Sequence, residues 1–140
     1  MSFAKSILLL EDDPDDLENF EQALTEYTSD YELTVVSNGA TFMQLINQLN
    51  PPDIIVLDLN VPRITGLDCL RQIRLRKALD MVPVYILTGS RNLLEKEKCI
   101  AAGVTKYFTK PIDFTATKLI VKEICDTILQ IFPPDLRLTK

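Results

Sequence analysis

Five short apolar segments alternate with five longer amphipathic ones along this chain, and that alternation narrows its fold more than any other feature. Ser6 to Leu10, Leu33 to Val36, Ile54 to Leu57, Val84 to Leu87 and Tyr107 to Phe108 are rich in Leu or β-branched residues, as buried parallel strands are. Between them apolar residues recur at helical spacing. Leu17, Phe20, Leu24 and Tyr27 form one face, and Phe42, Leu45, Ile46 and Leu49 a second. Leu67, Leu70 and Ile73 begin a third helix; Leu94, Ile100 and Ala101 mark a fourth. The fifth carries Phe114, Val121, Ile124, Ile128 and Ile131 along one stripe, with Lys118, Lys122 and Glu123 opposite. Asp13-Pro14 reads as an N-cap followed by Pro at the first helical position, Pro51-Pro52 stops the second helix, and Gly103 ends the fourth. Strictly alternating βα units imply right-handed crossovers and a parallel sheet covered on both faces. The expectation is therefore one α/β domain over residues 1–132, with residues 133–140 as a short tail.

Composition removes several classes of function. Net charge is −5, which disfavours a nucleic-acid-binding module. Histidine is absent, so imidazole-based nucleophile systems, imidazole metal sites and phosphohistidine chemistry on this chain are excluded. Cys69, Cys99 and Cys125 are isolated and lack metal-ligand spacing, so they read as small hydrophobes in a reducing compartment. No apolar run approaches the roughly 18 residues that cross a membrane, and because the N-terminus runs straight into the first strand no leader is expected. The expected location is the cytoplasm.

Ligands of parallel α/β sheets bind beyond the carboxyl ends of the strands. Four of the five strands deliver polar groups there: Glu11-Asp12-Asp13, Asp58-Leu59-Asn60, Thr88-Gly89-Ser90 and Lys110-Pro111. Crowded carboxylates repel by roughly 4 kcal/mol per pair at about 4 Å and an effective dielectric near 20, unless a cation sits among them. An oxygen-only donor set favours Mg²⁺ or Mn²⁺ over zinc. With a Lys and a Thr hydroxyl beside it, such a rim can bind a phosphoryl group and present a carboxylate to attack it.

At these residues the sequence resembles the receiver domain of two-component response regulators. The matching pieces are Leu8 to Pro14, Asp58 to Gly66, Leu87 to Ser90 and Lys106 to Pro111, in family order over about residues 5 to 131. The resemblance implies a flavodoxin-like (βα)5 three-layer sandwich whose five-stranded parallel sheet has order 2-1-3-4-5. It implies Asp58 as phosphoacceptor, and Asp12, Asp13, Asp58 and the backbone carbonyl of Asn60 around Mg²⁺, with Asp13 a direct ligand, Asp12 acting partly through water and Glu11 taking no direct part. Thr88 and Lys110 would contact the phosphoryl group, the Lys110-Pro111 bond would be cis, and Thr88 with Tyr107 would form the switch. Gly89 stands where the family most often has Ala, and Asn60 and Ser90 occupy variable positions that tune phosphoryl lifetime. The implied partners are a histidine kinase or histidine phosphotransfer protein as donor and a downstream protein as target. Leu119 and Leu129 lie off the core stripe of the last helix, where they could support docking or a homodimer through the fourth helix, fifth strand and fifth helix. The expected protein is a switch that catalyses only its own phosphorylation and dephosphorylation. A Mg²⁺-dependent phosphohydrolase is the first rival, weakened because Asn60 stands where a second carboxylate would serve as acid/base. A constitutive interaction domain is the second.

Overall fold

The computed structural model describes residues 5–48 and 50–131, with side chains through residue 126. Five parallel strands, β1 (Lys5–Leu10), β2 (Tyr31–Val36), β3 (Ile54–Leu57), β4 (Val84–Thr88) and β5 (Lys106–Thr109), lie in the order β2-β1-β3-β4-β5. Five helices alternate with them: α1 (Pro14–Tyr27), α2 (Gly39–Gln48), α3 (Gly66–Arg74), α4 (Leu93–Ala101) and α5 (Phe114–Ile131). The expected alternation and strand order are those observed. Leu49, the last residue of the apolar face read for α2, lies outside the described residues, as does the tail at 133–140.

Strand residues divide by parity between two cores, because successive side chains point to opposite faces. Ile7, Leu9, Ile54, Val56, Tyr85 and Leu87 pack against Phe20 and Leu24 of α1 and Val121 and Ile124 of α5. Leu8, Leu10, Ile55, Leu57, Val84 and Ile86 pack against Phe42 and Ile46 of α2, Cys69, Leu70 and Ile73 of α3, and Cys99 of α4. All three cysteines are buried and unpaired. The three central strands are apolar on both faces, which is why they read as continuous runs.

Some local features differ from expectation. A 3-10 turn at Lys77–Leu79 connects α3 to β4 and has no signature in the apolar pattern. β2 starts earlier than its apolar core, at Tyr31, whose hydroxyl donates to the Cys125 carbonyl at 2.8 Å. Leu94 and Ile100 are exposed, and α4 packs mainly through Cys99, so those two residues do not mark its buried face. The Lys110-Pro111 bond is trans, correcting the cis form implied by the resemblance; trans is favoured even before proline by about 0.5–1 kcal/mol. Ile128, Leu129 and Ile131 have no described side chains.

Two devices hold the loops. Arg74 fastens the rim at the amino ends of the strands: its Nε donates to the Gly103 carbonyl (2.9 Å), and Nη1 to those of Leu79 (3.2 Å) and Val82 (3.0 Å). At the opposite rim, the chain after β3 is pressed against two glycines. A Cβ on Gly39 would lie 1.8 Å from the Ile64 carbonyl oxygen, and one on Gly66 would lie 2.1 Å from that of Asp58. The same contacts are fixed by Gly39 N donating to Pro62 O (3.1 Å) and Gly66 N to Leu59 O (3.2 Å).

Candidate functional site

The polar rim residues are positioned by the strand ladders running past their last assigned residues. Glu11 N donates to Val36 O (2.9 Å), Asp58 N to Leu10 O (3.0 Å) and Lys110 N to Thr88 O (2.7 Å). Four neighbouring strand ends thereby bring Glu11, Asp58, Thr88 and Lys110 together with backbone precision. Glu11 (5% exposed), Asp58 (6%) and Thr88 (0%) are the buried polar side chains among the described residues. Polar groups at such burial require partners.

Lys110 supplies them for the two carboxylates. Its Nζ lies 2.9 Å from Asp58 Oδ2, 2.7 Å from Glu11 Oε1 and 2.6 Å from Asp16 Oδ2. Asp58 Oδ1 also accepts the Asn60 N–H at 3.3 Å. Burial alone would raise the Asp58 carboxyl, but the hydrogen bond and charge of Lys110, aided by Thr88 and the Asn60 N–H, hold it below the ordinary carboxylate value. Glu11 goes the other way: burial, reinforced by the Asp58 charge, outweighs Lys110 and pushes it up to about 7. For Lys110, burial would lower the ammonium, yet bonds to Asp16, Glu11 and Asp58 outweigh it and hold the group firmly charged. A neighbouring pair of carboxyls driven apart in this way is common where chemistry is done.

Carboxylate oxygens of Glu11, Asp12 and Asp58 lie within 4.8 Å of one another. This all-oxygen set fits a hard divalent cation such as Mg²⁺ or Mn²⁺ and lacks the nitrogen or sulfur donors that zinc prefers. Asp13 is not in the cluster. Its Oδ1 accepts from Asp15 N (2.8 Å) and Asp16 N (3.1 Å), so this side chain caps α1. The acid expected as a direct ligand thus spends an oxygen on the helix, while Glu11, expected to take no direct part, faces the cluster. Pro14 carried the signal: the residue before a proline at the first helical position is the N-cap. Asp16 was also missed, because an acid in a first helical turn has an ordinary explanation in the helix dipole.

Thr88, Ser90 and Tyr107 link this rim to α4. The Ser90 N–H donates to Thr88 Oγ1 (3.3 Å), Ser90 Oγ donates to Glu95 Oε1 (2.5 Å), and the half-buried Tyr107 hydroxyl approaches the Ser90 carbonyl at 3.5 Å. Asn92 caps α4 by accepting from Leu94 N and Glu95 N. Chemically, then, the rim offers a depressed, buried carboxylate beside a fixed ammonium, a buried hydroxyl and an oxygen cage for a cation. That set can accept and hold a phosphoryl group.

The family model of the response regulator receiver domain matches residues 7–122. The response regulator Rcp1 of Synechocystis sp. (strain PCC 6803) is 32% identical over 112 residues, covering 76% of each chain. Its Mn²⁺-bound crystal structure superposes with a TM-score of 0.79 over 97% of both chains, at 28% identity. The phosphorylated cyanobacterial phytochrome response regulator RcpA superposes at 0.84, with 29% identity, over 92% of this chain and 96% of that one. The receiver domain of the sensor histidine kinase PA1611 from Pseudomonas aeruginosa, with magnesium in its active-site cleft, gives 0.72 at 26% identity over 87% and 98%. Against two other curated relatives the chain spans only 25% and 44% of their length. Sequence, sheet order and site geometry agree: the chain belongs to the response regulator receiver domain family.

Proposed function

We propose that this protein is a phosphorylation-activated signalling switch of a two-component phosphorelay, with Asp58 as the acceptor. The observation that carries this reading is the 2.9 Å pairing of a buried, depressed Asp58 carboxylate with Lys110 at the carboxyl end of the central strand. An Asp58 carboxylate oxygen attacks phosphorus of a phosphohistidine on a kinase or phosphotransfer protein. The new O–P bond forms as the N–P bond breaks, and the imidazole departs with its electron pair. Lys110 and the Thr88 hydroxyl hold the phosphoryl oxygens. Water returns the acyl phosphate to carboxylate and inorganic phosphate, so the chain serves its own cycle and turns over no external substrate.

Asp12 and Asp58, supported by Glu11 and the Asn60 carbonyl, are the residues we assign to Mg²⁺, with Mn²⁺ able to replace it; Asp13 remains the helix cap. When bound, the ion neutralises phosphoryl charge. Thr88 moving toward the modified Asp58 would draw on Ser90 and Tyr107 and so on α4, biasing a two-state equilibrium. The output surface in this reading is α4, β5 and α5, where Leu94, Ile100 and Leu119 are exposed to a downstream protein or a second copy of the chain. We assign it to the cytoplasm, where such kinases present their phosphohistidine; among the described residues no helix is long and apolar enough to cross a membrane. The phosphohydrolase reading gains no support, since what Asn60 brings to Asp58 is a backbone N–H and not a second acid.

The test is intact-mass analysis after incubation with acetyl phosphate and Mg²⁺. Wild type should gain one phosphoryl group and Asp58→Asn none. A wild-type protein that stays unmodified while a known receiver is labelled would refute the assignment.

A further inference from the structure

Lys110 has three N–H donors, and each has a carboxylate: Glu11 Oε1 at 2.7 Å, Asp58 Oδ2 at 2.9 Å and Asp16 Oδ2 at 2.6 Å. The shortest of the three contacts comes from a residue outside the strand-end rim. Asp16 sits in the first turn of α1 and reaches across to the β5–α5 connection, 94 residues further along the chain. Helix-dipole stabilisation explains an acid at this position but not why it closes on the site's ammonium.

We propose that Asp16 is a positioning residue for the phosphoryl-transfer step, holding Lys110 Nζ in place while its third N–H passes from Asp58 to the incoming phosphoryl group. The proposal rests on the assignment of Asp58 as acceptor. On modification, Asp58 Oδ2 ceases to be a free carboxylate oxygen, and the N–H aimed at it needs a new acceptor. Glu11 and Asp16 keep the other two N–H groups, so the ammonium redirects one bond without moving. Glu11 alone would leave it hinged on a single contact. The neighbourhood gives it a little room: a small recess of about 30 Å³, open to solvent, lies between α1 and α5, lined by Leu9, Phe20, Leu87, Pro111 and Ile120 with Asp16 and Lys110 at its polar side. Lys110 is itself 16% exposed and Asp16 36%, so the pair is shielded enough to persist yet not locked into the core. Fixing the catalytic cation before the donor arrives lowers the reorganisation needed during transfer.

Two substitutions separate position from charge. Asp16→Ala removes the acceptor, whereas Asp16→Asn keeps an amide oxygen at the same place and removes only the charge. Phosphorylation by acetyl phosphate at saturating Mg²⁺ should slow roughly tenfold in Asp16→Ala, as expected for a misplaced reacting group. Asp16→Asn should stay within about twofold of wild type. Mg²⁺ affinity, measured by calorimetry, should be unchanged or slightly higher in both. A second readout needs no phosphorylation: reductive dimethylation of the native protein, followed by peptide mass analysis, should label Lys110 several-fold faster in Asp16→Ala relative to the other lysines. Equal transfer rates and equal Lys110 labelling in wild type and Asp16→Ala would overturn the proposal. So would an Asp16→Asn protein as slow as Asp16→Ala, which would make the effect one of charge. If wild type itself takes up no phosphoryl group, the acceptor assignment fails, and the labelling arm still decides whether Asp16 holds Lys110.

Discussion

Gly66→Ala tests how tightly the acceptor loop is built. Gly66 opens α3, and its φ is not in the left-handed region, so the objection to a side chain is steric and not conformational. The new Cβ would lie 2.1 Å from the Asp58 carbonyl oxygen, 2.8 Å from its carbon and 2.9 Å from Leu59 Cα. A carbon tolerates an oxygen at about 3.3 Å, so one backbone must retreat from the other by roughly 1.2 Å. All three obstructing atoms are main chain and cannot rotate away, which places the cost near the top of the overpacking range, about 3 kcal/mol. Better helix propensity returns at most about 1 kcal/mol, leaving a net loss of about 2 kcal/mol. For a domain of this size that is a fall in Tm of roughly 6–8 °C. Because the clash falls on Asp58 itself, phosphorylation should also slow, by roughly a hundredfold for a displacement near 1 Å. Urea melts and intact-mass time courses measure the two effects. Gly89→Ala is the control: nothing lies within 4 Å of its added Cβ, and the substitution should stabilise by about 0.4–1 kcal/mol. A Gly66→Ala protein that matched wild type in both stability and labelling would refute the steric reasoning.

Other expectations concern the acids. Asp13→Ala should cost about 1 kcal/mol through the lost N-cap yet still bind Mg²⁺ and accept phosphate, whereas Asp12→Asn should keep its stability and lose Mg²⁺ affinity; calorimetry and melts on both variants separate the roles. Glu11 holds its proton up to about 7 against 4.5 in the unfolded chain, so the folded state is the more protonated between those values, and metal-free stability should fall as pH rises through that window. Glu11→Gln should flatten the slope, and Mg²⁺ affinity of wild type should climb with pH until Glu11 is ionised; a wild-type stability that rose from pH 5 to 7 without metal would contradict the burial of Glu11.

What could be read from the sequence was whatever repeats or ends abruptly. Ile54 to Leu57 stop at Asp58, and that break between a buried strand and an acid marked the proposed acceptor position. Thr88 followed because it ends β4 beside that strand, and Lys110 because it follows β5, the next strand out. What escaped depended on contacts between distant segments. Neither the closure of Asp16 on Lys110 nor the turning of Asp13 onto its own helix alters the apolar pattern, and within Glu11-Asp12-Asp13 only geometry tells ligand from cap. The α4 face misled for a related reason: Leu94 and Ile100 have helical spacing but look outward, which is what a docking surface and a core stripe have in common in sequence.

Arg74 gives the molecule a stationary side. By gathering the carbonyls of Leu79, Val82 and Gly103 it joins α3, the turn before β4 and the turn before β5 at the rim away from Asp58. In the proposed switch, a rearrangement beginning at Thr88 would then be taken up in α4 and the upper loops, since the lower ends of β4 and β5 are bound to one guanidinium. Distance spectroscopy can use this. A probe at the exposed Met81, next to the clamp, would serve as the fixed origin against which a second probe on α4 is measured.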